Sequence, residues 1–81
     1  MENIYIVRGL VSGHTFTYGY FKSLEGALAN LDMQTEAFTS KGYVANPSPC
    51  FPTMGEYAEI VLYYGGEYYG HIRVTRSILN D

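Results

Sequence analysis

The chain has only one cysteine and few charged residues. A single thiol, Cys50, cannot close an internal disulfide, which argues against a small secreted domain held together by disulfides. Charged residues make up only 16% of the chain, against about 25% in ordinary soluble domains. Because so few charges cover the surface, we expect apolar or tyrosine surface to remain exposed for a partner.

Basic residues are also scarce. Eight acidic residues against five lysines and arginines leave a net charge of -3. A nucleic-acid or anionic-membrane ligand normally requires a basic face, which five scattered cations cannot form, so we expect neither partner. No apolar run approaches the ~20 residues that span a bilayer. The first five residues lack the basic-then-apolar order of a signal peptide, and we therefore expect a cytoplasmic protein.

The composition that is present is that of one folded domain. Hydrophobic residues make up 47% of the 81 residues, and nine tyrosines and four phenylalanines are among them. This is too apolar and too aromatic for a disordered chain. The length suits one small domain, so we predict that residues 1–81 form a single unit with a thin core.

Residue patterning predicts two β-hairpins that flank one helix, in the order ββαββ. Residues 4–11 and 15–21 have the β-branched and alternating patterns of strands around a turn at 12–14. Residues 57–64 and 68–76 form the second pair around Gly65-Gly66. Residues 46–55 hold all three prolines and are predicted as a loop. We expect an α+β fold, a four-stranded antiparallel sheet with one helix packed on one face.

The predicted helix covers residues 24–41. Ser23 is a good N-cap, and Lys41-Gly42 provides a cation and then a residue that tolerates the left-handed conformation that ends helices. The apolar stripe recurs at steps of three and four along Leu24, Leu28, Leu31, Thr35 and Phe38.

The hydrophobic pattern also predicts the register of each hairpin. A three-residue loop, Gly65–Glu67, places Ile60 opposite Ile72 and Ala58 opposite Val74, so that Ile60, Leu62, Ile72 and Val74 share the core face. A three-residue loop at 12–14 gives the pairs Leu10–Phe16, Arg8–Tyr18 and Ile6–Tyr20. That face of the first hairpin is almost wholly apolar, whereas the opposite face, with Tyr5, Val7, Val11, Thr17 and Phe21, is mixed.

One helix can cover only one face of the sheet, so the other face is left uncovered. In the predicted register, Tyr63 pairs with Tyr69 and Val61 pairs with His71. Tyrosine offers a large apolar area with a polar tip, which is favoured at interface hot spots. We therefore predict a binding surface on this face, formed by Tyr63, Tyr69, His71, Arg73 and Glu59.

No constellation in the sequence favours catalysis, a metal or a cofactor. The nitrogen and sulfur ligands His14, His71 and Cys50 lack the spacing of metal motifs, and no glycine-rich phosphate loop is present. Cys50 with His71 is the one nucleophile–base pair that can be proposed, but no helix N-terminus or cation near Cys50 in the sequence would activate it. We expect a non-enzymatic protein in which Cys50 and Phe51 form a small satellite core and Cys50 is dispensable.

Two functions remain open. The first is a non-catalytic protein-binding module that acts through the tyrosine-rich face. In size and acidic charge the chain is similar to many small phage-encoded inhibitors, including anti-CRISPR proteins, which implies a stoichiometric inhibitor of a host-defence protein. The alternative is a homo-oligomer that binds or sequesters a small ligand such as a nucleotide, with Arg73 or Arg76 meeting its phosphate. In both cases we expect self-association, at least as a dimer, through the open face or an edge strand.

Overall fold

The computed structural model describes residues 2–49 and 55–79, which form five strands and one helix. In chain order these are β1 (Glu2–Val11), β2 (His14–Phe21), α1 (Leu24–Thr39), β3 (Val44–Pro47), β4 (Glu56–Tyr64) and β5 (Glu67–Leu79). The α+β class is confirmed, because one helix packs on an antiparallel sheet. The predicted strand count is wrong: the sheet has five strands, in the order β2-β1-β5-β4-β3.

The additional strand, β3, lies where the prolines predicted the start of a loop. Val44–Pro47 pairs antiparallel with β4, from Val44 opposite Tyr63 to Pro47 opposite Ile60. Proline is tolerated because β3 is an edge strand, and an edge strand does not need every backbone N–H for a ladder. The predicted satellite core of Cys50 and Phe51 lies outside the described residues.

Both hairpins turn through two residues instead of the predicted three. The turn residues all have positive φ, namely Ser12 (52°), Gly13 (80°), Gly65 (61°) and Gly66 (82°). Two successive residues of this kind form a type I′ turn, whose twist matches that of the flanking strands. Tyr64 therefore pairs with Glu67, and the predicted three-residue loop is wrong.

Three β-bulges interrupt the described hairpins, and the two nearer the turns, at Tyr18 and Tyr69, restore the pairing that the hydrophobic pattern predicted. Each bulge leaves one extra residue unpaired in the ladder, and in every case it is a tyrosine: Tyr18 in β2, Tyr57 in β4 and Tyr69 in β5. All three pack against the buried core under α1. A bulge turns its extra residue out of strict alternation, so these tyrosines face the helix where strict alternation would have placed them differently.

The bulges separate the correct register predictions from the wrong ones. The confirmed pairs are Ile60–Ile72, Ala58–Val74, Val61–His71 and Ile6–Tyr20. The predicted pairs that lie at the Tyr18 or Tyr69 bulge, or between that bulge and its turn, are wrong, namely Leu10–Phe16, Arg8–Tyr18 and Tyr63–Tyr69. The two-residue turn fixes the register on one side of each hairpin bulge, and hydrophobic burial fixes it on the other.

Helix α1 begins as predicted and ends two residues earlier. The backbone N–H of Gly26 donates to Ser23 Oγ at 3.1 Å, which confirms the N-cap. The helix ends at Thr39, where the N–H of Ser40 donates to the carbonyl of Glu36 at 2.9 Å, and Gly42 follows with φ of 97°. In the part of the chain that the structure describes, no helix is long and apolar enough to cross a membrane.

The core lies between α1 and the sheet and is small. The buried cluster there consists of Val7, Val11, Ala27, Leu31, Leu62, Ile72 and Val74, and Ile4 of β1 is buried outside this cluster. The predicted core face of β4 and β5 is confirmed for Leu62, Ile72 and Val74, and Ile60 is partly buried beside them. On β1 the mixed face with Val7 and Val11 faces the helix, because these residues lie opposite Val74 and Gly70 of β5.

Leu31→Ala is expected to destabilise the domain by about 2–5 kcal/mol. Leu31 is only 3% exposed and carries much of the buried surface of α1. Urea unfolding followed by circular dichroism measures the loss. Met33→Ala is the matched control, since Met33 lies on the same helix but is 59% exposed, and its unfolding free energy should change by less than about 0.5 kcal/mol. Equal midpoints for the two variants would contradict this orientation of α1.

Candidate functional site: the open face of the sheet

The sheet face opposite α1, here called the open face, is set by strand alternation. On β4, Glu59, Val61 and Tyr63 alternate with core positions, and on β5, His71 and Arg73 do so. Glu59 lies opposite Arg73, and Val61 lies opposite His71. The structure therefore brings together four of the five predicted site residues, namely Glu59, Tyr63, His71 and Arg73.

Tyr69 is the predicted site residue that lies elsewhere. The bulge in β5 turns it to the helix side, where it is partly buried against the core. Its ring contacts Tyr43 with a centroid distance of 4.8 Å and an interplanar angle of 61°. The pKa of Tyr43 is raised above its usual range, mainly by the side-chain hydrogen bond with Tyr69 and to a smaller extent by burial. The predicted placement of Tyr69 on the open face is wrong because the bulge interrupts strict alternation along β5.

Tyr68 occupies the position that was predicted for Tyr69. It pairs with Tyr63 across the ladder, and their ring centroids lie 6.4 Å apart at 80°, an edge-to-face contact. The Tyr68 hydroxyl lies 3.0 Å from His71 Nδ1, within hydrogen-bonding distance. The ring is 59% exposed, so most of it remains available to a partner. The Gly65-Gly66 turn was the sequence signal that could have identified Tyr68.

An ion-pair network fixes Arg73 beside these aromatic residues. Its Nε donates to Glu59 Oε2 at 3.1 Å, and its terminal nitrogen lies 3.0 Å from the same oxygen. Glu56 Oε1 is 3.7 Å from Nε. Glu56 reaches the open face only because the bulge at Tyr57 shifts the alternation. The network holds the guanidinium in place, so Arg73 is less free than predicted to meet a separate ligand.

Arg8 is the open-face cation without such a partner. It lies directly opposite Arg73 on the neighbouring strand β1 and is exposed. Among the described residues, the ion pairs involve Arg73 and do not include Arg8. Like charges that face each other across strands repel, but the two carboxylates around Arg73 offset that repulsion. Arg8 thus offers an unpaired guanidinium near the middle of the sheet.

Among the side chains that the structure describes, the charges on the open face cancel. Arg8 and Arg73 are balanced by Glu56 and Glu59, whereas α1 carries Glu25, Asp32 and Glu36. Helix α1 is therefore acidic within its own bounds, with Lys22 and Lys41 just outside its two ends. Because the described side-chain charges of the open face sum to zero, net charge does not favour a strongly basic or strongly acidic partner surface there.

Exposed apolar side chains extend across most of the open face. Leu10 lies opposite His71, Val44 opposite Tyr63, and Tyr20 opposite Ile6. Leu10 is 37% exposed, Val44 56% and Tyr20 65%. Together with Tyr68 they place large apolar groups on four strands. Val44, Tyr63 and Tyr68 are cross-strand neighbours, and a contiguous apolar patch of this kind on a free surface is typical of a protein interface.

A small groove lies on the other side of the sheet, between α1 and β2. Tyr18, Gln34, Ala37, Phe38 and Lys41 line a volume of about 150 Å³. Burial raises the pKa of Tyr18. Sites for drug-sized ligands occupy about 300–1,000 Å³, so the groove of a single chain is too small to enclose a nucleotide.

Within residues 2–49 and 55–79, no group of three or more His, Cys, Asp or Glu residues could hold a metal ion. His14 lies at the start of β2 beside Phe16, with ring centroids 6.4 Å apart, whereas His71 lies on the open face. Cys50 lies outside the described residues, and its pairing with His71 is not tested. The chain matches no family model, no curated protein and no solved structure.

Proposed function

We propose that this chain is a non-catalytic protein-binding module that docks on a protein partner through its open face. The observation that carries the proposal is the sheet face opposite α1, which carries large exposed apolar side chains on four strands of the described sheet. Tyr63 and Tyr68 supply aromatic area with polar tips, and Arg8 supplies an unpaired cation. Tyrosine and arginine are the residue types enriched at interface hot spots.

The charge of the open face specifies the partner surface further. A neutral face with apolar groups around one unpaired arginine suits a mostly apolar patch that carries a carboxylate opposite Arg8. A partner with a basic groove would instead attract the acidic side chains of α1. The carboxylate would meet Arg8 in a partly desolvated setting, where a charge-assisted hydrogen bond is strongest.

The finer part of the proposal is that binding inhibits the partner. It rests on the small size of the chain and its acidic net charge of -3. Many phage-encoded inhibitors of host-defence proteins are likewise small and acidic. A small module without a catalytic constellation would act stoichiometrically, by covering a surface. We place this activity in the cytoplasm, where a lone thiol such as Cys50 remains reduced.

Tyr63→Ala combined with Tyr68→Ala is expected to weaken partner binding by about 2 kcal/mol or more, roughly 30-fold in Kd. The wild-type chain and the variant are immobilised side by side, and a partner captured by the immobilised chain is purified. Its Kd for each chain is then measured by titration. Tyr64→Ala is the matched control, because Tyr64 follows Tyr63 on β4, is 54% exposed and contacts Tyr43 on the helix side. Equal binding by the double variant and the wild type would place the functional surface elsewhere.

A further inference from the structure

The outer edge of β2 lacks the protection found at the other edge of the sheet. β2 is a terminal strand of eight residues, His14–Phe21, with no charged residue and no proline. The opposite edge strand, β3, has four residues and ends at Pro47. Natural sheets block long edges with charge, proline or short strands, because an open edge pairs readily with another strand. The bulge at Tyr18 leaves His14–Thr17 as the regular part of this edge.

The alternation of the backbone determines which N–H and C=O groups point outward from the free edge of β2. His14 and Val11 close a two-residue turn, and such a closing pair is hydrogen-bonded. His14 and Phe16 therefore direct their backbone groups towards β1, and Thr15 and Thr17 direct theirs outward. These outward groups have no strand partner in the described part of the sheet.

The side chains along this edge are exposed and uncharged. Thr15 and Thr17 lie opposite Leu10 and Arg8 of β1, so they belong to the open face. Phe16 lies on the helix side, is 47% exposed, and stacks on Tyr18 with centroids 6.3 Å apart at 28°. A strand added to this edge would cover the exposed part of Phe16.

We propose that two copies of this chain pair antiparallel through β2, around a two-fold axis at Phe16. In this register Thr15 lies opposite Thr17 of the second copy, and Phe16 lies opposite Phe16. The outward groups of Thr15 and Thr17 then form about four backbone hydrogen bonds. The two five-stranded sheets become continuous, and the open faces of both copies lie on the same side of the joined sheet.

A second copy suits this edge because the pairing is self-complementary. Thr–Thr and aromatic–aromatic cross-strand pairs are favourable, and β2 contains no charge that would repel its own image. Along the chain the nearest cation is Lys22, six positions from the axis, and Arg8 lies one strand away on β1, so neither cation is paired with its own copy across the edge. Pro47 and the shortness of β3 disfavour a head-to-tail β2–β3 contact, which would produce open filaments instead of a closed dimer.

Disulfide trapping tests the register. In a Cys50→Ser background, Phe16→Cys is expected to form a covalent dimer on mild oxidation, because the two positions face each other on the axis. Tyr20→Cys is the matched control: Tyr20 lies on the same strand and is 65% exposed, but its two copies are about 26 Å apart along the paired strands. Equal cross-linking at the two positions, or none at Phe16→Cys, would overturn the proposal.

A charge introduced at the edge tests the interface without cysteine chemistry. Thr17→Lys is expected to raise the dimer Kd by about tenfold or more, since it adds charge to the edge and removes a Thr–Thr pair. Thr39→Lys adds the same charge at an exposed residue of α1 and should leave the Kd unchanged. Sedimentation that returns the 9.1 kDa monomer for the wild type at high concentration would overturn the proposal.

These outcomes are separate from those of the proposed function. A dimer that dissociates with Tyr63→Ala and Tyr68→Ala but withstands Thr17→Lys would assign self-association to the open face and overturn pairing through β2. A monomeric wild type that still binds its partner through Tyr63 and Tyr68 would overturn the dimer alone.

Discussion

Gly70→Ala is expected to destabilise the domain by about 3 kcal/mol or more. Gly70 lies on the central strand β5, between Val11 of β1 and Leu62 of β4. A Cβ added there would collide with the carbonyl oxygen of Leu10 and lie 2.9 Å from the Cα of Val11. Both obstacles are backbone atoms of a paired strand, so relief requires the β1–β5 ladder to separate. Replacing glycine by alanine restricts the unfolded chain and gains less than about 1 kcal/mol, which is too little to offset the collision.

Gly9→Ala is the matched control for this substitution. Gly9 lies on the neighbouring strand β1, and a Cβ there would be 2.9 Å from the ring of Tyr18 and 3.2 Å from the carbonyl oxygen of His71. The closest obstacle is a side chain that can rotate, so we expect a loss of about 1 kcal/mol. Urea unfolding of the two variants gives the comparison. A Gly70→Ala variant no less stable than Gly9→Ala would show that β1 and β5 do not approach as closely as described.

The position of the β5 bulge was implicit in two sequence signals that disagree. The Gly65-Gly66 turn favours a two-residue loop, which would place Ile60 opposite His71. The hydrophobic pattern requires Ile60 opposite Ile72. Each signal is correct on its own side of the hairpin, and one extra residue between them reconciles the two. When turn chemistry and burial predict registers that differ by one residue, the two signals together therefore predict a bulge instead of a longer loop.

The helix was predictable because its signals are local. Ser23, the apolar stripe and Gly42 lie within or next to α1, and they specify its start, buried side and end without reference to the sheet. β3 was not predictable in this way. Four residues that end at a proline carry little intrinsic strand preference, and Val44–Pro47 becomes a strand only through its pairing with β4.

The candidate site was predictable wherever alternation runs unbroken from the core. His71 and Arg73 lie next to the buried residues Ile72 and Val74, and Glu59 lies next to the strand partners of those two residues. The burial of these neighbours determines the sheet face on which the three side chains lie. Tyr68 and Glu56 lie on the far sides of the bulges at Tyr69 and Tyr57, where the same counting assigns the wrong face. The unpaired state of Arg8 depends on which strand neighbours β1, and that is decided by the tertiary pairing of β1 with β5.

Tyr69→Ala is expected to destabilise the domain by about 2–3 kcal/mol, whereas Tyr68→Ala should cost less than about 1 kcal/mol. The two residues are adjacent and chemically identical, so intrinsic strand preference cancels between the variants. Tyr69 packs against the core and Tyr43, and its loss leaves a cavity on the helix side. Tyr68 is 59% exposed and loses mainly its edge contact with Tyr63 and its hydroxyl contact with His71.

The substitution that weakens partner binding should be the one that leaves stability nearly unchanged, and the reverse should hold for the other substitution. Tyr68→Ala removes part of the proposed interface, so it should weaken partner binding while the unfolding midpoint stays near that of the wild type. Tyr69→Ala should lower the midpoint and leave binding by the folded fraction unchanged, since its ring faces α1. Urea unfolding and partner titration on both variants give the four values required. If Tyr69→Ala weakens binding and Tyr68→Ala lowers the midpoint, β5 has no bulge at Tyr69 and strict alternation holds along the strand. The open face would then carry Tyr69, as strict alternation from the core predicts.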